Sequence, residues 1–130
     1  MAGKITVSTI NDSSGVLATQ NGMTGIAKAW VQFVGGTSPS INGSFNVSSV
    51  TYVATGVYQI NFTTAMSNSN YAPQACYAIN AGTAYSAGCG LFWNNSATTA
   101  PTTSSFYFVT AGITSGPYNP SYVSVVVFGA

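Results

Sequence analysis

The chain has 130 residues, room for one domain, and only Lys4, Asp12 and Lys28 carry a formal charge. A charged fraction of 2%, with no Glu, Arg or His, argues against carboxylate dyads, Ser-His-Asp triads, zinc-water sites and phosphate-tracking nucleic-acid surfaces. A hydrophobic fraction of 46% without any long apolar run argues against both disorder and membrane insertion, so a soluble, non-enzymatic domain is expected.

Thirteen Val, seven Ile and sixteen Thr stand against two Leu, and these stiff β-branched side chains predict an all-β fold. In chain order, residues 5–10 alternate as a short strand carrying Ile5, Val7 and Ile10. A polar, Gly-containing stretch follows, and residues 1–25 read as an N-terminal arm and candidate anchor. Strands are then predicted at 26–34, 44–50 and 57–63, the last placing Tyr58, Ile60 and Phe62 on one face. Residues 35–40 and 51–56 are predicted turns. A strand over 71–80 contains Pro73, which marks a sheet edge or a bulge. Segments 85–93, 105–110 and 122–128 complete about eight short strands. Residues 26–130 are therefore expected to form a single antiparallel β-sandwich, jelly-roll-like, or a small barrel. Loops 94–104 and 113–121 stand out by length.

The segment Ala81-Gly82-Thr83-Ala84 suits a two-residue type II′ hairpin turn. Counting outward from it puts Cys76 opposite Cys89 and Tyr77 opposite Gly88. That geometry allows a cross-strand disulfide. The N-terminus lacks the apolar core of a signal peptide, so a reducing cytosol favours two packed thiols instead. Two thiols without His make at most half a zinc site, and no cofactor is expected.

Among the aromatics, Phe33, Phe45, Tyr58, Phe62, Phe106 and Phe108 sit at alternating strand positions and are expected in the core. Tyr71, Trp93, Tyr107, Tyr118 and Tyr122 fall in or beside loops, where an exposed ring can stack on a sugar. With Asn94 and Asn95 supplying neutral hydrogen bonds, Trp93, Tyr118 and Tyr71 are candidate glycan or partner contacts. Capping the sandwich end or filling a subunit interface would explain Trp93 and Tyr118 equally well. Lys28 is expected to lay its stem along an apolar face with its ammonium in water.

Several segments occur together in a recognisable order: AKAWVQF (27–33), SFNVSSV (44–50), GVYQINFTTAM (56–66), Asn70-Tyr71 and YVSVVVFG (122–129). This order resembles a module found in tail-fibre and related virion proteins of tailed bacteriophages, especially marine and cyanobacterial ones. The resemblance covers residues 27–71 and the C-terminal strand, and leaves 77–121 unmatched. It implies a non-enzymatic structural protein of the virion, assembled in the host cytoplasm as a homotrimer. Tail-fibre, tail-accessory and capsid-surface (head-fibre or decoration) positions all suit it. The arm would contact other virion proteins, and a glycan- or receptor-binding module for host attachment is the alternative.

Overall fold

A computed structural model describes residues 26–78, 87–89, 100–112 and 116–129, with backbone alone at 87–89, 111, 112 and 116. The predicted arm, with Ile5, Val7 and Ile10, lies outside these residues, as do Trp93, Asn94 and Asn95. Among the described residues every regular element is a strand. They are β1 (Ala27–Val34), β2 (Ser40–Phe45), β3 (Val47–Ala54), β4 (Val57–Phe62), β5 (Ala72–Ala78), β6 (Ala87–Cys89), β7 (Ser105–Val109), β8 (Ala111–Gly112), β9 (Gly116–Pro117) and β10 (Tyr122–Phe128). One sheet has five strands in the order β2-β1-β10-β5-β6, a second has three in the order β3-β4-β7, and β8 and β9 form a short ribbon. Each described pairing is antiparallel.

The period-2 alternation decides which residues meet across these ladders. In the larger sheet, Val31, Val125 and Ala75 form one inward row, and Phe33, Val123 and Tyr77 form the next. In the smaller sheet, Tyr52, Tyr58 and Phe108 form a row beside Val50, Ile60 and Phe106. These rows close on one another as a single apolar cluster, making the β-sandwich. Phe33 packs edge-on to Tyr58 at 5.4 Å and to Phe108 at 6.1 Å, joining the two sheets through aromatic contacts. Burying each such ring contributes about 1.5–3 kcal/mol before its ordering cost.

Two strand expectations need correction. The predicted strand 44–50 breaks at Asn46, whose φ of 53° is left-handed. There the chain leaves β2 in the larger sheet and enters β3 in the smaller one. Asn46 is the corner, and Phe45 just before it points outward, 54% exposed instead of buried in the core. The predicted turn at 51–56 shrinks to Thr55-Gly56, because β3 continues to Ala54. Pro73 pairs with Val127 of β10, and β5 lies between β10 and β6, whose described residues meet it at Cys76 to Ala78.

One end of the sandwich is tied by neutral hydrogen bonds. Tyr58 Oη accepts from Gly36 N at 2.8 Å and donates to Asn119 Oδ1 at 3.1 Å. Gly56 N donates to the same Asn119 oxygen at 2.9 Å, and Thr110 N donates to Gly56 O at 2.8 Å. Thr110 Oγ1, fully buried, sits 2.5 Å from the Tyr118 carbonyl oxygen. Gly56 has φ +70°, and a Cβ there would lie 2.7 Å from Thr110 O and 2.8 Å from Tyr118 N. Only glycine fits that approach of three backbones.

Candidate interaction face

A sandwich has two outer faces, and here they differ in chemistry. On the smaller sheet the outward rows are Thr51-Gln59-Tyr107 and Ser49-Asn61-Ser105. Asn61 Nδ2 donates to Ser49 Oγ at 3.0 Å and Thr51 Oγ1 at 3.1 Å, and Gln59 Nε2 donates to Ser105 Oγ at 3.1 Å. This face hydrogen-bonds to itself and presents hydroxyls to water.

The larger sheet is different. One outward row runs Phe45-Trp30-Val126-Gln74, and the next runs Gly43-Gln32-Ser124-Cys76. Trp30 is 43% exposed, and Val34 and Tyr122 are exposed on the same sheet. The Trp30 indole leans across β2, where a Cβ on Gly43 would lie 3.4 Å from its ring carbons. The bare glycine backbone is what the ring rests on. Beside it, Trp30, Gln32, Gln74, Cys76, Ser124 and Val126 border an open groove of about 300 Å³. Single exposed apolar residues are ordinary, but Trp30 with Phe45 beside it makes this the more apolar of the two outer faces.

Lys28 stands at the margin of this face. The β1–β10 register slips between Ala27 and Ala29, so Lys28 is the extra residue of a β-bulge. Its carbonyl accepts from Asn46 Nδ2 at 3.2 Å, and the residue is half-buried.

The structure separates the candidate contacts named from sequence. Tyr71 is 8% exposed, and its hydroxyl donates to Thr102 O at 2.8 Å and lies 3.1 Å from Ser105 O. Burial pushes its pKa up to about 12. It is a core ring, not a sugar platform. Tyr118 is half-buried, packs edge-on against Tyr77 at 5.9 Å, and touches the core. Its hydroxyl pKa is raised by burial first and by the Tyr77 hydroxyl second. Both rings therefore pack against the sandwich; for Tyr118 this is the end-capping alternative, whereas the loop-like position of Tyr71 in sequence gave no sign of it. Trp93, Asn94 and Asn95 lie outside the described residues. Cys76 pairs with Cys89 and Tyr77 with Gly88, the register counted out from the predicted turn. Cys76 is a free thiol exposed on the outer face and not packed in the core.

Sequence reasoning missed the centre of this face. Trp30 is not among the contacts named from sequence, although the alternation of 26–34 sets it with Lys28 and Gln32. The signal was available, because Ala29, Val31 and Phe33 are the inward set and Trp30 falls between them. Among the described residues no three His, Cys, Asp or Glu side chains converge. Comparisons with protein-family models, curated proteins and solved structures found no match.

Proposed function

We propose that this chain is a non-enzymatic structural protein of a bacteriophage virion, assembling as a homotrimer at the tail or on the capsid surface. The supporting observation is the uncharged outward row Phe45-Trp30-Val126-Gln74 on one side of the sandwich, with Phe45 and Trp30 exposed and Val126 half-buried. A monomer gains nothing by leaving such a row in water, whereas an assembly unit buries it. The ordered segments that resemble the phage module fall on strands and core positions. AKAWVQF lies in β1, the Asn46 corner lies in SFNVSSV, Tyr58, Ile60, Phe62 and Met66 supply core, and YVSVVVF is β10 with Gly129 just after it. Residues 26–130 carry Lys28 as their one charge, so copies can meet without desolvating ions.

Native mass spectrometry tests the assembly and particle proteomics tests the location. A mass of about 40 kDa, three copies of the 13.3 kDa chain, is expected at micromolar concentration. Peptides of the chain should copurify with intact phage particles through a density gradient. Their loss from purified particles while the chain persists in the lysate would refute the virion role.

A further inference from the structure

We infer that the outer face of the five-stranded sheet is the subunit interface, with Trp30 at its centre and another copy of this chain as its occupant. The inference rests on the assembly reading above and names the surface that reading leaves open. In a trimer the three faces turn toward the common axis.

Three observations select this face and this occupant. First, the two exteriors of the sandwich are unequal. The smaller sheet spends its amides and hydroxyls on one another through Asn61 and Gln59. The larger sheet leaves Trp30, Phe45, Val34 and Tyr122 exposed around a groove of about 300 Å³. Second, charge matches a copy better than a foreign surface. The rows contain no ionisable group except the Cys76 thiol, and Lys28 sits at the bulge on their margin. An ordinary protein surface, about a quarter charged, would have to strip water from ions and find no counter-charge here. A second copy brings none beyond its own Lys28 and the two charges of its first 25 residues. Third, the area allows a weak association. The five strands, three to eight residues long at ~3.3 Å per residue and spaced about 4.8 Å apart, make a face of roughly 500 Å². Three such faces bury at most about 1,500 Å² in a trimer, about 500 Å² for each neighbouring pair, which is the range of weak interfaces. Association is then expected in the micromolar range, with the burial of one tryptophan dominating it.

The experiment uses the full chain carrying Cys89→Ser, which leaves Cys76 as its single thiol. Association is read by native mass spectrometry and sedimentation, and Cys76 accessibility by its rate of alkylation with iodoacetamide. Trp30→Lys and, separately, Gln74→Arg are compared with Val53→Lys, which charges an exposed position on the opposite sheet. Thermal melts verify that each variant folds. The expected result is an oligomer whose Cys76 is protected. Trp30→Lys should weaken association about a hundredfold and restore the alkylation rate, while Val53→Lys changes neither. Gln74→Arg should act in the same direction as Trp30→Lys, and it covers the case in which that variant does not fold.

An oligomer that survives both face variants with Cys76 freely alkylated overturns the choice of face and leaves the assembly reading standing. A parent protein that stays monomeric up to about 100 μM overturns both. Protection of Cys76 in a monomer by added maltohexaose or cellohexaose assigns the groove to a neutral glycan and overturns self-association.

Discussion

Asn46 gives the sharpest test of how the two sheets are joined. Its side-chain amide donates from Nδ2 to Lys28 O at 3.2 Å and to Thr64 O at 3.2 Å, and its Oδ1 accepts from Thr64 N at 2.7 Å. The residue thereby ties the β2–β3 corner to β1 on one side and to the end of β4 on the other. These contacts are partly solvated, so each contributes about 0.5–1 kcal/mol net and the set about 2 kcal/mol. The backbone adds a second, separable term, because φ of 53° is tolerated by Asn and Gly but disfavours Ala by about 1 kcal/mol. Asn46→Gly removes only the amide contacts and should cost about 2 kcal/mol; Asn46→Ala removes both and should cost about 3 kcal/mol. Urea unfolding followed by tyrosine fluorescence, at matched protein concentration and constant m value, measures the two differences. In thermal melts the shifts should be about 8 and 12 °C. If Asn46→Ala is no worse than Asn46→Gly, the left-handed corner has no energetic role. If Asn46→Gly lies within about 0.5 kcal/mol of wild type, the amide is not a clamp.

The remaining tests address the tied end, the buried phenols and the charge deficit. Gly56→Ala combines a positive φ with a Cβ 2.7 Å from a backbone oxygen that no rotamer can move, and should cost about 3 kcal/mol in urea unfolding; a loss below about 1 kcal/mol would mean the three backbone segments separate freely there. Stability should be nearly flat from about pH 5 to 8, since Asp12 is the one side-chain carboxylate and His is absent. It should then fall as pH rises from 10 toward 12, because the unfolded phenol of Tyr71 ionises near 10 while the folded one holds its proton to about 12. A urea midpoint unchanged across that interval would show that Tyr71 is not protected. Association measured by sedimentation should change less than about twofold between ~0.05 and ~0.5 M NaCl; dissociation by moderate salt would locate ion pairs that the composition does not provide.

Much of the fold is legible because the pattern is strict where strands are central. β1 and β10 each have a buried face dictated by alternation, and YVSVVVF was bounded at the same residues by sequence and structure. The Cys76–Cys89 pairing followed from hairpin geometry alone, since a two-residue turn leaves one register. β2 was invisible for the opposite reason. SINGSF is an edge strand exposed along most of its length, so no apolar period marks it. Asn46 was hidden inside an apparently continuous strand, although Asn is the non-glycine residue best suited to a left-handed corner. Tyr71 and Tyr118 looked like loop aromatics, yet long-range hydrogen bonding and ring packing draw them inward. Local sequence cannot express contacts between residues 31 positions apart, such as Tyr71 with Thr102.

The shortage of charge acquires a different meaning once the two outer faces are compared. A surface built without ions still needs hydration, and the smaller sheet meets that need with Ser, Thr, Asn and Gln rows. Had the same solution been used on both sheets, the chain would read as a neutral but ordinary monomer. The larger sheet instead replaces half of its outward positions with Trp, Phe, Tyr and Val while keeping Gln and Ser between them. Interleaving of this kind gives an interface both apolar area and hydrogen-bond partners, and it leaves no buried ion to compensate. Single charges placed on this face, such as Trp30→Lys or Gln74→Arg, are therefore the changes the proposed assembly should tolerate least. The same charge on the hydroxyl-rich face should be absorbed by water.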